Sequence, residues 1–304
     1  MATTAVQHPA SNPTPEELVA DLVLLLDLNP RDQDRFVGRR KKGGIGRVFG
    51  GQVIAQALGA AERTVSEDRH AHSLHAYFLR PGHEEGEVHF RVRRDFDGAS
   101  YSNRRVVAMQ DGNAILNLTA SFQREREGLD HQHPAMPDVP PSQDIVSDNI
   151  LRREFGQKIG GELGAQIARP WPIDTRSIEP RAWIDRTPRE PVAHCWLRAV
   201  APLPDDPRVH RAVLAYASDL QLLSTAMLPH GVTWHRGEVK AASLDHAIWF
   251  HEPFRADDWL LYVTDSPWAG HARGFNRGQI FSGDGRLVAS VAQEGLIRPT
   301  HCQD

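Results

Sequence analysis

Asp219, Ser243 and Gln293 supply an acid, a hydroxyl and an amide from the last third of a 304-residue chain, within Tyr216-Ala-Ser-Asp-Leu220, Ser243-Leu-Asp-His-Ala-Ile-Trp-Phe-His-Glu-Pro253 and Val291-Ala-Gln-Glu-Gly295. Such a trio can hold a water against an acyl carbonyl without a metal, a cysteine or a serine nucleophile. Each member alone has an ordinary structural explanation. Asp219 could be a polar residue at a helix margin, Ser243 a solvated or ladder-bonded hydroxyl, and Gln293 a satisfied buried amide.

The elements that must position them follow from periodicity. Asp206 before Pro207 signals a helix start, and Val209, Ala212, Val213, Tyr216, Leu220, Leu223 and Met227 recur at helical spacing. On that wheel Asp219 borders the buried stripe, where a carboxylate finds donors or acquires a raised pKa suited to accepting a proton near neutrality. Ser243 opens a strand predicted over Ala241 to Phe250, with Asp245, Ala247 and Trp249 on its face. Gln293 follows Leu287, Ala289 and Val291 on one face of a strand from Leu287 to Ile297. Further strands are predicted over Trp259 to Thr264 and Gly274 to Phe281.

The first half carries the same pattern. Thr14-Pro-Glu-Glu17 reads as a capped start for a short helix to about Leu26. The run from Phe49 to Ala61 is Ala-rich and apolar, a mostly buried helix. Strands over 74–79, 88–93, 104–109 and 115–122 are punctuated by Pro81-Gly82, Asp97-Gly98 and Asp111-Gly112. Ser73-Leu-His-Ala76 matches Ser243-Leu-Asp-His-Ala247, and Gln123 matches Gln293. Each Ser–Gln pair spans 50 residues. This is an internal repeat of one helix-plus-sheet unit. The first helix has no acid until Glu62, so half one reads as a copy without its base, and one working site per pair of units is expected. The proposed division is a tail and short helix at 1–30, a first unit at 31–127, a Pro-rich linker at 128–149 and a second unit at 150–304; Ile150 to Trp183 carries no assignable pattern.

Several functions are disfavoured. A net charge of −4 from 35 basic and 39 acidic residues gives no footprint for nucleic acid. Cys195 and Cys302 form no metal or redox motif, which fits a reducing, cytoplasmic compartment. The first ten residues lack a secretory signal, Leu18 to Leu28 is too short and too charged to enter a membrane, and the terminal His-Cys-Gln-Asp is not a peroxisomal address. Gly44-Ile-Gly46 lacks a preceding strand for a dinucleotide site, no Gly-x-Ser-x-Gly occurs, and His70, His72, His75, His131 and His133 lack the spacing of metal ligands. No cofactor or metal is expected.

Phe49-Gly-Gly-Gln-Val, Phe78-Leu-Arg-Pro-Gly82, Thr119-Ala-Ser-Phe-Gln123, Ser218-Asp219, Leu244-Asp-His-Ala-Ile-Trp-Phe-His251, Ala272-Arg-Gly-Phe275 and Gln293-Glu-Gly295 resemble the motifs of the acyl-CoA thioesterase II family, from Phe36 to Arg298. The resemblance implies an α+β fold, a tandem (double) hotdog whose two antiparallel sheets each wrap a long buried helix. It implies hydrolysis of acyl-CoA to fatty acid and CoA, with Asp219, Ser243 and Gln293 as the catalytic acid, hydroxyl and glutamine. In those roles Asp219 accepts a proton from water, and Ser243 and Gln293 orient that water and the carbonyl. Backbone N–H groups near Gly50 and Gly51 are the candidate substrate-binding donors to the thioester oxygen. Arg39-Arg40-Lys41-Lys42 could meet CoA phosphates or be a solvated loop. Further pairing of such sheets makes a homodimer or homotetramer the expected assembly. Two alternatives stay open: an enoyl-CoA hydratase, which would use an Asp/His pair that Asp219 lacks locally, and a non-catalytic acyl-CoA-binding protein.

Overall fold

The computed structural model describes residues 12–41, 44, 46–181, 184–234 and 237–301; the expectations resting on the first eleven residues, Lys42, Ile45, Trp183 and the chain end from Cys302 lie outside them. Helix α1, Pro15–Leu26, begins with the expected capping box: Thr14 accepts from the Glu17 N–H while Glu17 accepts from the Thr14 N–H. Helix α2, Gly50–Glu62, is buried along nearly its whole length, as an Ala-rich run without charged residues before its end requires.

Strands β1 (Leu28–Asp32) and β2 (Arg35–Gly38) form a hairpin before α2, followed by β3 (His70–Phe78), β4 (His89–Asp97), β5 (Tyr101–Gln110) and β6 (Asn113–Gln123). The unassigned stretch after the linker holds helices α3 (Asp148–Ile159) and α4 (Gly161–Ala168) and strand β7 (Ile173–Ser177). Then come β8 (Val192–Ala199), helix α5 (Pro207–Ser218), β9 (Val239–Ser243), β10 (Asp245–Phe250), β11 (Leu260–Gly270), β12 (Arg273–Ser282) and β13 (Leu287–Pro299). The Pro-rich linker is pinned along the second half. Gln132 bonds the backbone of Gly285 and Leu287, and Met136 and Val139 pack against Trp196, Leu261 and Phe281.

All strand pairs are antiparallel, in the order β1-β2-β4-β5-β6-β3-β10-β13-β12-β11-β8-β7. The two sheets expected from sequence are therefore one, joined where β3 pairs with β10 and Leu74 lies opposite Ile248. Replacing each strand by its counterpart, the second six strands read as the first six reversed. Helices α2 and α5 pack together within a core that includes Leu58, Leu118, Leu214 and Ile248.

Two expected boundaries shift, for local reasons. Helix α5 stops at Ser218 instead of continuing to Met227, because the Tyr262 hydroxyl donates to the Ser218 carbonyl (3.0 Å) that a further turn would need. A 3₁₀ segment, Leu222–His230, keeps Leu223 and Met227 buried and so preserves the helix-like spacing. The strand expected from Ala241 to Phe250 is broken at Leu244. Ser243 lies opposite Gly295 and Ala247 opposite Ala292, so four steps on one strand face three on the other, a β-bulge.

The acid at the end of α2 meets α5 directly. Glu62 and Arg211 form a buried ion pair at 2.8 Å, with side chains 4% and 9% exposed. Burial holds the Glu62 carboxyl above its usual range despite Arg211. Arg211→Met is expected to cost about 3–5 kcal/mol in urea unfolding at pH 8, since it strands a buried carboxylate. A raised carboxyl pKa gives stability that is present at low pH and lost as pH rises. The deficit should therefore shrink at acidic pH, where Glu62 takes a proton, and in the Glu62→Gln/Arg211→Met double variant. An equal loss at both pH values would assign the effect to packing.

Candidate active site

The break after α5 turns Asp219 across the molecule toward the start of α2. Its φ of −86° and ψ of −8° cap the helix, and its side chain is only 5% exposed. Gln293 Nε2 donates to Asp219 Oδ1 at 2.6 Å and lies 2.9 Å from Ser243 Oγ, while Ser243 Oγ donates to the same carboxylate oxygen at 3.3 Å. The backbone N–H of Gly51, from the other half of the chain, also donates to the carboxylate. The three sequence-predicted residues therefore meet.

The carboxyl of Asp219 is pushed up to about 6, chiefly by burial, against the lowering effect of the bonds from Gln293, Ser243 and Gly51. Among the described residues, no cation is hydrogen-bonded to it. The approach of the helix depends on glycine: a Cβ on Gly50 would lie 2.7 Å from Asp219 Oδ2, and one on Gly51 would lie 2.5 Å from the Tyr216 carbonyl oxygen.

Asp219, Ser243 and Gly50 line a cavity of about 850 Å³, walled by Phe49, Phe78 and Leu223 and by Phe155 and Trp171 from the α3–α4 region. Gln293 is fully buried and is not among the wall residues, so it holds Asp219 and Ser243 from behind. Gly51 is likewise off the wall, its N–H committed to Asp219 rather than open toward a substrate. Of the expected backbone pair, Gly50 alone faces the cavity. Among the described residues, Arg39, Arg40 and Lys41 are not on the wall, Arg39 lies 3.5 Å from Asp27, and the arginines that line the cavity are Arg47, Arg80, Arg152, Arg181 and Arg189. Cys195 lines the cavity too, but burial pushes its thiol up to about 11, which leaves no thiolate at neutral pH.

His246 was not singled out by the sequence. The bulge at Leu244 reverses the inside–outside alternation, so Ser243 and His246 both turn toward Asp219, whereas an unbroken strand would direct Asp245 there. His246 Nδ1 is 4.0 Å from Asp219 Oδ1 and 3.1 Å from Gln293 Nε2, and the ring is fully buried. An Asp/His pair thus forms in space, from separate elements. The ring is shielded from the cavity, however, and burial depresses it to about 3, so it is neutral and out of reach of a substrate. This weighs against the hydratase alternative.

The family model described as acyl-CoA thioesterase matches residues 176–296, and that described as acyl-CoA thioesterase N-terminal domain matches residues 39–123. The chain is 41% identical to acyl-coenzyme A thioesterase 8 of Homo sapiens over 282 residues, covering 90% of this chain and 88% of that protein. Among solved structures, an acyl-CoA thioesterase II from Mycobacterium marinum superimposes with a TM-score of 0.74 at 39% identity, over 91% of this chain and 98% of the other. A protein of unknown function with a hot dog fold from Alicyclobacillus acidocaldarius has a TM-score of 0.71 at 21% identity, covering 90% and 97% of the two chains. The fold is a hotdog.

A buried carboxylate whose donors do not offset its desolvation costs stability. Because the folded chain binds the Asp219 proton more tightly than an ordinary aspartate at 3.8, the stability present at low pH is lost as pH rises through about 6. Asp219→Asn is therefore expected to be more stable than wild type at pH 8 by about 2–3 kcal/mol, with the gap closing near pH 4. Thermal unfolding of both proteins across that range measures it, and a gap independent of pH would contradict the buried charge.

Proposed function

Because the chain belongs to the acyl-CoA thioesterase family and is a thioester hydrolase acting on acyl-CoA, we propose that Asp219 is the base that takes a proton from the attacking water. The observation that carries this is the carboxylate itself: on the cavity wall, poised at about 6, and fixed by three donors. At pH 7 a group at that value is about nine-tenths ionised, and a base matched to working pH contributes typically about 10²–10⁴-fold in rate.

The water adds to the thioester carbonyl carbon as its proton passes to Asp219. The tetrahedral centre then collapses, the carbon–sulfur bond breaks, and the departing thiolate takes the proton that Asp219 holds, leaving carboxylic acid and CoA. Ser243 Oγ, on the wall beside Asp219, orients the water. The N–H of Gly50, in the first turn of α2, is the proposed donor to the developing oxyanion, a contribution of roughly 3–4 kcal/mol for one well-placed group. Gln293 fixes the carboxylate and the hydroxyl from behind, where it does not touch substrate. The cavity spans parts of both halves, so each contributes to the single site.

We read the architecture as a tandem (double) hotdog, with a first unit at 31–127, a linker at 128–149 and a second unit at 150–304. The reversed strand order and the 50-residue spacing of both Ser–Gln pairs support this. The proposed setting is cytoplasmic and the proposed assembly a homodimer or homotetramer. No helix among the described residues is long and apolar enough to cross a membrane.

Thiol release from acyl-CoAs of graded length tests the assignment. Asp219→Asn is expected to lose about 10²–10⁴-fold in kcat with its fold retained. Ser243→Thr should keep most of the activity and Ser243→Ala should not, while kcat/KM should fall on the acid side near pH 6. Wild-type turnover in Asp219→Asn would remove Asp219 from the mechanism.

A further inference from the structure

Behind the cavity wall, three side chains in line connect the end of α5 to the carboxylate. Ser218 Oγ donates to the Ala215 carbonyl at 3.0 Å and lies 2.9 Å from His246 Nε2; His246 Nδ1 lies 3.1 Å from Gln293 Nε2; Gln293 Nε2 lies 2.6 Å from Asp219 Oδ1. Ser218, His246 and Gln293 are all fully buried.

Proton counting leaves one arrangement. An amide nitrogen has hydrogens and no usable lone pair, so His246 Nδ1 must be the acceptor from Gln293. Nε2 therefore carries the ring proton and donates it to Ser218 Oγ, whose own hydrogen goes to Ala215. Gln293 Nε2 has two hydrogens for three acceptors: Asp219 Oδ1, Ser243 Oγ and His246 Nδ1. With one directed at His246, the other falls on the carboxylate and is shared with Ser243. Turning the amide over would set Oε1 2.6 Å from an oxygen of the ionised Asp219 carboxylate, which has no proton to offer whichever tautomer the ring adopts.

From this geometry we infer that His246, held in its Nε2–H form by Ser218, is a positioning residue: it locks the Gln293 amide so that its N–H faces Asp219. The inference rests on the reading of Asp219 as the base. His246 touches no substrate and passes no proton to one. Among the described residues, the titratable groups at this line are Asp219, at the end of α5, and the two tyrosines that feel its charge, Tyr216 of α5 and Tyr262 of β11, while the neighbour on β3 opposite His246 is Ala76. Tyr216, raised to about 12 by burial, and Tyr262, also raised, stay neutral throughout the working range, so the acid-side change in rate belongs to Asp219.

The test compares His246→Leu with His246→Asn, whose side-chain oxygen can take the Nδ1 position and accept from Gln293. His246→Leu is expected to lower kcat about 10-fold or more with little change in KM, and to move the acid limb of kcat/KM upward, because Asp219 loses a donor that favours its charged form. His246→Asn is expected to restore the limb and most of kcat. Independently of any variant, ¹⁵N spectra of the wild-type imidazole should show a neutral Nε2–H ring unchanged from pH 5 to 8, a range set by the ordinary histidine value of about 6.5. A ring protonated on Nδ1, or a His246→Leu enzyme with wild-type kcat and limb, overturns the inference. Should Asp219→Asn be inactive while His246→Leu behaves as wild type, the base assignment stands and only the role of His246 falls. Full activity in Asp219→Asn would remove the base assignment instead.

Discussion

A carboxylate placed in the core with hydrogen-bond donors but, among the described residues, no bonded cation is the constraint around which this molecule is arranged. Desolvation disfavours the charge of Asp219, and the opposing contributions come from an amide, a hydroxyl and a backbone N–H carried by β13, β9 and α2. Those elements must converge within hydrogen-bond reach of one side chain, and three local features of the fold serve that. Helix α5 ends at Ser218 because Tyr262 takes its carbonyl, the strand bearing Ser243 breaks at Leu244, and α2 begins with glycines because side chains there would strike Asp219 and the Tyr216 carbonyl.

Donors raise a carboxylate's acidity less than a bonded cation would, and the difference decides what the group can do. An arginine bonded to Asp219 would add a cation's pull toward the charged form and occupy its oxygens; hydrogen bonds from neutral groups leave it near 6, charged at neutral pH yet able to accept. The neutral histidine behind Gln293 fits the same logic, since a protonated imidazole 4.0 Å from Asp219 would lower its basicity.

Much of this was legible in the sequence, and what was not has physical causes. The capping box at Thr14, the burial of α2 and the meeting of Asp219, Ser243 and Gln293 could be reached from caps, periodicity and the resemblance of the motifs. The end of α5 could not, because it depends on a hydroxyl 44 residues away, and the 3₁₀ segment that follows repeats the spacing of a helix. His246 escaped because period-two alternation fails at a bulge, and nothing in Ser243-Leu-Asp-His246 announces the extra residue. Helix α3 was missed because it is polar and α4 because it is short and interrupted by Gly164, and Arg152, Phe155 and Trp171 of this region line the cavity beyond the limits of both family matches.

If the chain is read as a double hotdog, the ion pair between Glu62 and Arg211 has a bearing on why two units would share one chain. Glu62 ends α2 much as Asp219 follows the end of α5, each twelve positions after its helix begins. In a symmetric pair of identical subunits, any residue that engages one of these acids would be copied onto the other, and both would be tied into ion pairs. A covalent tandem is free of that identity. Under the double-hotdog reading, one acid can be given to cohesion and its twin kept reactive, a division of labour that only broken symmetry permits.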